Sequence, residues 1–168
     1  MTFSIPARWI SLIAGATILL ATGCGPDRDD RVVQTDIPFR TDGTLDVIRP
    51  DGSIVTTLAI EIAEGDSARA RGLMQRRSLP AKGGMLFLSN ESKVQTFWMK
   101  NTPLPLDIIF IGADSSIVSI AERTLPFSER TIESTGPAQY VLEVRAGYAA
   151  RFGIDSTATV RWRRTSAK

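Results

Sequence analysis

The alternation of apolar and polar positions divides the chain into three stretches of different rhythm. From Trp9 to Leu20 the side chains are apolar, small or hydroxyl-bearing, with no charge. A membrane-spanning helix needs about 20 apolar residues, so this run is too short to remain as a spanning anchor and has the length of an export-signal core. From Gly25 to about Thr44 the pattern turns polar, with Pro26, Asp27, Asp29 and Asp30, as expected of a solvated tether. From Leu45 onward, short apolar runs of strand length are separated by turn-forming residues.

Within that last stretch, Leu45 to Arg49 and Ser53 to Ala63 flank Pro50-Asp51-Gly52 and predict a hairpin, with Ile60 and Ile62 alternating against Glu61. Asp66 or Ser67 is placed to cap a short helix through Arg77, with Ala70, Leu73 and Met74 at helical spacing. Gly72 inside that helix costs about 1 kcal/mol relative to Ala, which points to a close packing contact there. Further strands are expected at residues 85–88, 94–99, 107–111, 117–122, 140–145 and 158–163. Gly112-Ala113-Asp114 forms a turn between two of them, and residues 146–153 form one or two helical turns closed by Gly153. No long crossover helices separate the strands, so the pattern predicts a mainly β domain: an antiparallel jelly-roll-like sandwich or barrel with one or two short helices. The expected organisation is a signal at residues 1–23, a tether at 24–44 and one domain at 45–168.

The start of the chain carries an address. Arg8 precedes the apolar run, and the run ends in Leu20-Ala21-Thr22-Gly23-Cys24, which resembles the lipobox of bacterial lipoproteins. The resemblance implies cleavage before Cys24 and attachment of diacylglycerol to its thiol, and several acyl chains together hold a protein stably at a membrane. The expected location is the cell envelope: the periplasmic face, or the outer membrane if the cell has two.

Composition narrows the chemistry. Apolar residues make up 43% of the chain and charged residues 23%, as in ordinary folded domains. A formal net charge of +2 gives no field suited to nucleic acid, and the short runs Arg76-Arg77 and Arg161 to Arg164 are read as solvated faces. There is no histidine, and Cys24 is the sole cysteine. Histidine-dependent catalysis, imidazole or thiolate metal sites and cysteine redox pairs are therefore excluded. Met74, Met85 and Met99 are expected to fill core space rather than hold a soft metal, and no Ser-x-x-Lys motif is present.

Four segments together resemble the bacterial and archaeal domain of unknown function 192. They are Arg71-Gly72-Leu73-Met74, Gly84-Met85-Leu86-Phe87, Phe97-Trp98-Met99-Lys100-Asn101-Thr102 with Pro105-Leu106-Asp107, and Tyr140-Val141-Leu142-Glu143 with Gly147. The resemblance covers about residues 58–160 and implies a single, mainly β, often exported domain with no agreed activity. The chain departs from the pattern at Gln75, where an aromatic is more usual, and at Phe127, where a cysteine often follows proline. It also departs at Asp155 to Ala158, which lacks the usual Gly-Asp turn.

Several residues could carry chemistry, and each has a structural reading beside the functional one. Pro103 and Pro105 fix the chain after Lys100-Asn101-Thr102, so Lys100, Asn101 and Asp107 could line a polar pocket. Alternatively, Asn101 and Asp107 cap loop backbone while Lys100 reaches solvent along its apolar stem. Glu143 shares a face with Val141, opposite Leu142 and Val144. If that face is buried, Glu143 needs a partner, with Lys100 or Arg71 the expected one. Trp98 and Phe97 point to opposite faces, one in the core and the other free to stack on a sugar.

The resulting expectation is a lipid-anchored, non-enzymatic binding module with no catalytic residue, metal or cofactor. Its ligand-binding candidates are Lys100, Asn101, Asp107, Trp98, Glu143 and Arg71. The expected partners are the membrane through lipid on Cys24 and a glycan or other envelope component, with no nucleic acid, for a monomeric protein. Two rivals stay open. One is a carboxylate-dependent envelope glycoside hydrolase, which needs Asp107 and Glu143 in one cleft roughly 5–9.5 Å apart. The other is a purely structural or protein-interaction module.

Overall fold

The computed structural model describes residues 36–165; the expected signal, Cys24 and the first part of the tether lie outside the described residues. Seven strands and two short helices follow one another as β1 (Gly43–Ile48), β2 (Ile54–Ala63), α1 (Asp66–Arg71), β3 (Gly83–Phe97), β4 (Leu106–Ile111), β5 (Ile117–Thr124), β6 (Ile132–Arg145), α2 (Tyr148–Phe152) and β7 (Thr159–Arg164). The mainly β expectation with two short helices holds. All seven strands belong to one sheet, in the order β5-β4-β6-β3-β2-β1-β7. The sheet is mixed, because β2 and β3 run parallel, joined by the segment that carries α1, while the other pairs are antiparallel.

The β1–β2 hairpin turns where the sequence predicts. Gly52 takes φ 84, its N–H donates to the Arg49 carbonyl, and the Asp51 carboxylate accepts from the Ser53 N–H. The two runs expected at 85–88 and 94–99 are one long strand, β3, whose pairing with β6 is irregular between Leu88 and Lys93. The expected helix through Arg77 stops at Arg71 instead, and Gly65 rather than Asp66 or Ser67 sits at its N-cap. Gly72 ends it at φ 47 and ψ −134, a conformation that side chains with a Cβ avoid. A Cβ there would also lie 3.1 Å from the Phe87 ring. The close contact expected at Gly72 is therefore real, but at a helix end rather than a helix interior.

Both faces of the sheet are apolar. Strand β4, Leu-Asp-Ile-Ile-Phe-Ile, is buried at every position, with Ile109 and Ile111 on one face and Ile108 and Phe110 on the other. The first face gathers Leu45, Ile60, Leu86, Leu142 and Val160 into one core, to which every strand contributes. The edge strands meet there: Val160 N–H donates to the Ser115 carbonyl at 2.9 Å, and Ile117 N–H to the Ala158 carbonyl at 3.3 Å. The sheet thus curls until its ends touch. The second face carries Met85, Phe87, Met99, Phe110 and Val141, packed against Leu73 and Leu79 of the β2–β3 connection.

Four details of the sequence reading change. Glu61, read as the outward member of an alternation, is fully buried, because β2 has apolar layers on both sides. Arg76 is buried against it rather than on a solvated face. Residues at the end of the expected tether pack on the domain: Arg40 N–H donates to Glu61, and the Asp42 carboxylate accepts from Ile62 N–H. In place of a Gly-Asp turn before β7, the Asp155 carboxylate accepts from both the N–H and the hydroxyl of Thr157. Among the described residues, no helix is long and apolar enough to cross a membrane.

Candidate functional site

On the second face, strand register places Glu61, Met85, Glu143 and Ile108 side by side across β2, β3, β6 and β4. Neighbouring strands lie about 4.8 Å apart, so the two glutamates are separated by one strand and roughly 10 Å. Their surroundings differ. Glu61 accepts from the Arg76 guanidinium at 2.6 Å and from Arg40 N–H at 2.8 Å. Glu143 is only 5% exposed and has no hydrogen-bond or ion-pair partner among the described residues. Burial alone raises its carboxyl from the ordinary 4.5 to about 8. At neutral pH it is mostly the uncharged acid, able both to donate and to accept.

Glu143 opens into a cavity of about 380 Å³. No fully buried side-chain nitrogen or oxygen in the described residues lacks a partner, so the unpaired Glu143 carboxyl remains reachable from that space. Phe87, Phe97 and Leu73 form apolar walls; Phe97 meets Phe87 edge-on at 5.1 Å and Phe110 at 6.1 Å. The α1 segment supplies Asp66, Arg69 and Arg71 to the rim, and the chain just beyond β3 supplies Trp98, half-exposed at 51%. A smaller hollow of about 230 Å³ shares Arg71, Gly72 and Met74 with this cavity and holds the Glu61–Arg76 pair.

The rim is held by backbone rather than by side chains. Gln75 N–H donates to the Asn101 carbonyl at 2.7 Å, Phe127 N–H to the Thr102 carbonyl at 3.1 Å, and Met99 N–H to the Ser128 carbonyl at 2.9 Å. Three of these residues take left-handed backbone conformations without being glycine: Gln75 at φ 62, Asn101 at φ 55 and Phe127 at φ 58. A bulky residue at positive φ is costly, so tertiary hydrogen bonds must impose this path on the loops. Gln75 and Phe127 are two of the positions where the chain departs from the family pattern.

The six expected ligand-binding residues divide into two groups. Trp98, Glu143 and Arg71 line the cavity, whereas Lys100, Asn101 and Asp107 do not. Lys100 lies 3.4 Å from Glu129 and 5.4 Å from the centre of the Trp98 ring, on the solvent side. Asn101 is exposed and contributes its carbonyl to the rim. Asp107 pairs with Val144, on the face opposite Glu143, and is fully buried. Its carboxylate accepts from the backbone N–H groups of Arg123 at 2.8 Å, Gly147 at 3.1 Å and Ala149 at 2.9 Å. The capping alternative therefore describes Asp107, and Asp107 and Glu143 share no cleft. Neither Lys100 nor Arg71 pairs with Glu143.

The sequence reading missed the Glu61–Arg76 pair and the cavity residues Asp66, Arg69, Phe87 and Thr102. An acidic residue in a strand that is apolar on both sides, as Glu61 is, was the available signal for a buried pair. Phe97 is in the core contacts and Trp98 is half-exposed, the split expected of the two aromatics. Met85 and Met99 are buried, as expected, while Met74 lines the cavity.

A single curled β-sheet with a cavity on its outer layer, between a short helix and a strand end, defines the class of domain. The chain belongs to the domain of unknown function 192 family, described as an uncharacterised protein family, whose model matches residues 47–162. Two of the crystal structures to which it is similar illustrate the family. One is a Sinorhizobium meliloti 1021 protein provisionally labelled a transcription regulator, with 36% identity over 76% of this chain and 98% of that one, at TM-score 0.70. The other is a Novosphingobium aromaticivorans DSM 12444 protein of unknown function, with 39% identity over 71% of this chain and 84% of that one, at TM-score 0.67. No match is found among the curated proteins. The family has no established activity, and neither similar structure supplies one.

Proposed function

We propose that this chain is a non-enzymatic binding domain of the cell envelope, held at a membrane through lipid on Cys24, with its ligand seated in the Glu143 cavity. The observation that carries this reading is the buried, unpaired Glu143 carboxyl opening into a cavity beside the half-exposed Trp98. Buried polar groups are normally satisfied, so one left open towards an accessible space is suited to a ligand. The mixture of aromatic walls and a few polar tips is typical of small-ligand sites. Asp107 and Glu61 are both committed to protein donors, which leaves them unavailable as partners for Glu143 in acid-base chemistry.

The test is a glycan and peptide array probed with the full chain in detergent micelles, wild type against Trp98→Ala and Glu143→Ala. Hits that weaken at least tenfold in either variant support the cavity. Hits unaffected by both place the binding elsewhere and refute it. The location is tested by Cys24→Ser, which should move the protein from the membrane fraction to the soluble fraction. A variant that still sediments with membranes would sink the lipid anchor.

A second reading is favoured by one observation: Asp66 lines the same cavity as Glu143. A protonated carboxyl with a second one nearby is the arrangement used on glycosides. On this reading, envelope polysaccharide incubated with the chain yields new reducing ends, and Glu143→Gln abolishes them. Their absence would leave binding alone.

A further inference from the structure

We propose that the cavity takes an amino-acid-type zwitterion, whose ammonium group enters to meet Glu143 while its carboxylate stays at the rim with Arg69 and Arg71. This rests on the reading above that the cavity binds a ligand, and adds the ligand's chemical class. Three observations converge on it. Glu143 is a buried carboxyl with no hydrogen-bond partner among the described residues, and an ammonium that displaces its proton both donates to the carboxylate and neutralises it. The walls beside it are the rings of Phe87 and Phe97, with Trp98 at the mouth, and aromatic faces attract cations. Arg69 and Arg71 at the rim have no acidic partner among the described residues, so the mouth favours negative charge while the floor favours positive.

The other charges around Glu143 are accounted for. Across the sheet, Met85 and Ile108 flank it and carry none. Glu61 is neutralised by Arg76, Lys100 faces Glu129, and Arg145 is exposed at the end of β6 and lines a different hollow. Asp66 on α1 is the remaining acid of the cavity and lies at its exposed edge. Volume agrees as well: about 380 Å³ accommodates an amino acid or a dipeptide and excludes a long chain unless it enters end-on.

Binding then has a defined proton balance. The ligand arrives as R–NH3⁺, Glu143 leaves its proton to solvent, and the product is the ion pair of carboxylate and ammonium plus one released proton. Because the free carboxyl titrates near pH 8, affinity for an ammonium rises about tenfold per pH unit well below that value, levels off near it, and falls again once the ligand's own α-amino group, itself near 8, loses its proton. A neutral sugar held by the uncharged acid shows no such rise.

The experiment is calorimetric titration of the full chain in micelles at several pH values between about 6 and 8, in buffers of differing ionisation enthalpy. The probes are glycylglycine, L-lysine, ethylamine and N-acetylglucosamine at millimolar concentrations. The expected result is binding of glycylglycine or L-lysine that tightens with pH and releases close to one proton at neutral pH. Glu143→Gln should remove the proton release and weaken binding at least tenfold at the upper end of the range, with an unchanged circular dichroism spectrum. Arg71→Ala combined with Arg69→Ala should weaken the zwitterions and leave ethylamine unaffected. Preferential binding of N-acetylglucosamine without proton release overturns the ligand class and leaves the cavity reading standing. Binding of no probe also overturns the class, and the Trp98→Ala arm of the array then decides the cavity separately.

Discussion

Two buried carboxyls in this domain solve the same desolvation problem in opposite ways. Asp107 is surrounded by backbone donors and ties β4 to the start of α2 and to the end of β5. Asp107→Ala leaves three N–H groups without an acceptor in a largely buried place, and should cost about 3 kcal/mol or more in urea unfolding. A loss below about 1 kcal/mol would show that water replaces the carboxylate at no real cost. Glu143 is instead kept protonated. Its carboxyl sits near 8 in the folded chain against 4.5 as the ordinary value, so unfolding releases a proton anywhere between those values. Folded-state stability therefore falls as pH rises through that window, by roughly 5 kcal/mol in total from this group. Glu143→Gln removes the dependence, and the variant should gain on the wild type progressively from about pH 5 to about pH 8 in chemical denaturation. Parallel stability curves for the two proteins would contradict the raised carboxyl.

At the scale of elements, α1 and the turn after it decide where the cavity lies. The helix is six residues long, buries none of its side chains and receives no side-chain cap, so it owes its place to the turn that follows. That turn depends on Gly72, whose backbone suits only glycine and whose missing Cβ leaves room for Phe87. Gly72→Ala should cost about 2 kcal/mol or more and change the environment of the cavity wall, visible as shifted Phe87 and Leu73 methyl and ring resonances. A neutral substitution would mean that the connection can be rebuilt without strain. The sequence made the glycine's importance legible but not its position. Helical spacing continued past it, and the positive-φ turn at Gly72 together with the packing of Leu73 into the second apolar layer draws the chain away.

At the scale of the whole molecule, the sheet is stabilised by curling. Each face carries an apolar layer, and the edges β5 and β7 touch through residues 115–117 and 158–160. That contact protects both edge strands where they would otherwise be open to pairing with another chain. The Val160 amide should accordingly exchange with solvent as slowly as amides of the central strands β3 and β6, measured by native-state hydrogen exchange. Rapid exchange at Val160 alongside protected central strands would mean that the edges part in solution.

The sequence by itself determined the strand-rich architecture, the β1–β2 hairpin, the closing Gly153 and the absence of histidine and of any thiol besides Cys24. Each is set by local periodicity, turn chemistry or composition, which neighbours along the chain fix. It also singled out Trp98, Arg71 and Glu143 for attention. Tertiary structure alone decided that these three share a cavity while Asp107 turns away, because face assignment on β4 depends on pairing with β6 and not on the run Leu-Asp-Ile-Ile-Phe-Ile, which is apolar on both sides. It also decided the parallel β2–β3 pair and the burial of Glu61 with Arg76, since both follow from which strands become neighbours. Glu143 needed a partner once buried, as its alternation implied. That the fold supplies none, and opens the carboxyl to a cavity instead, depended on contacts between residues far apart in the chain.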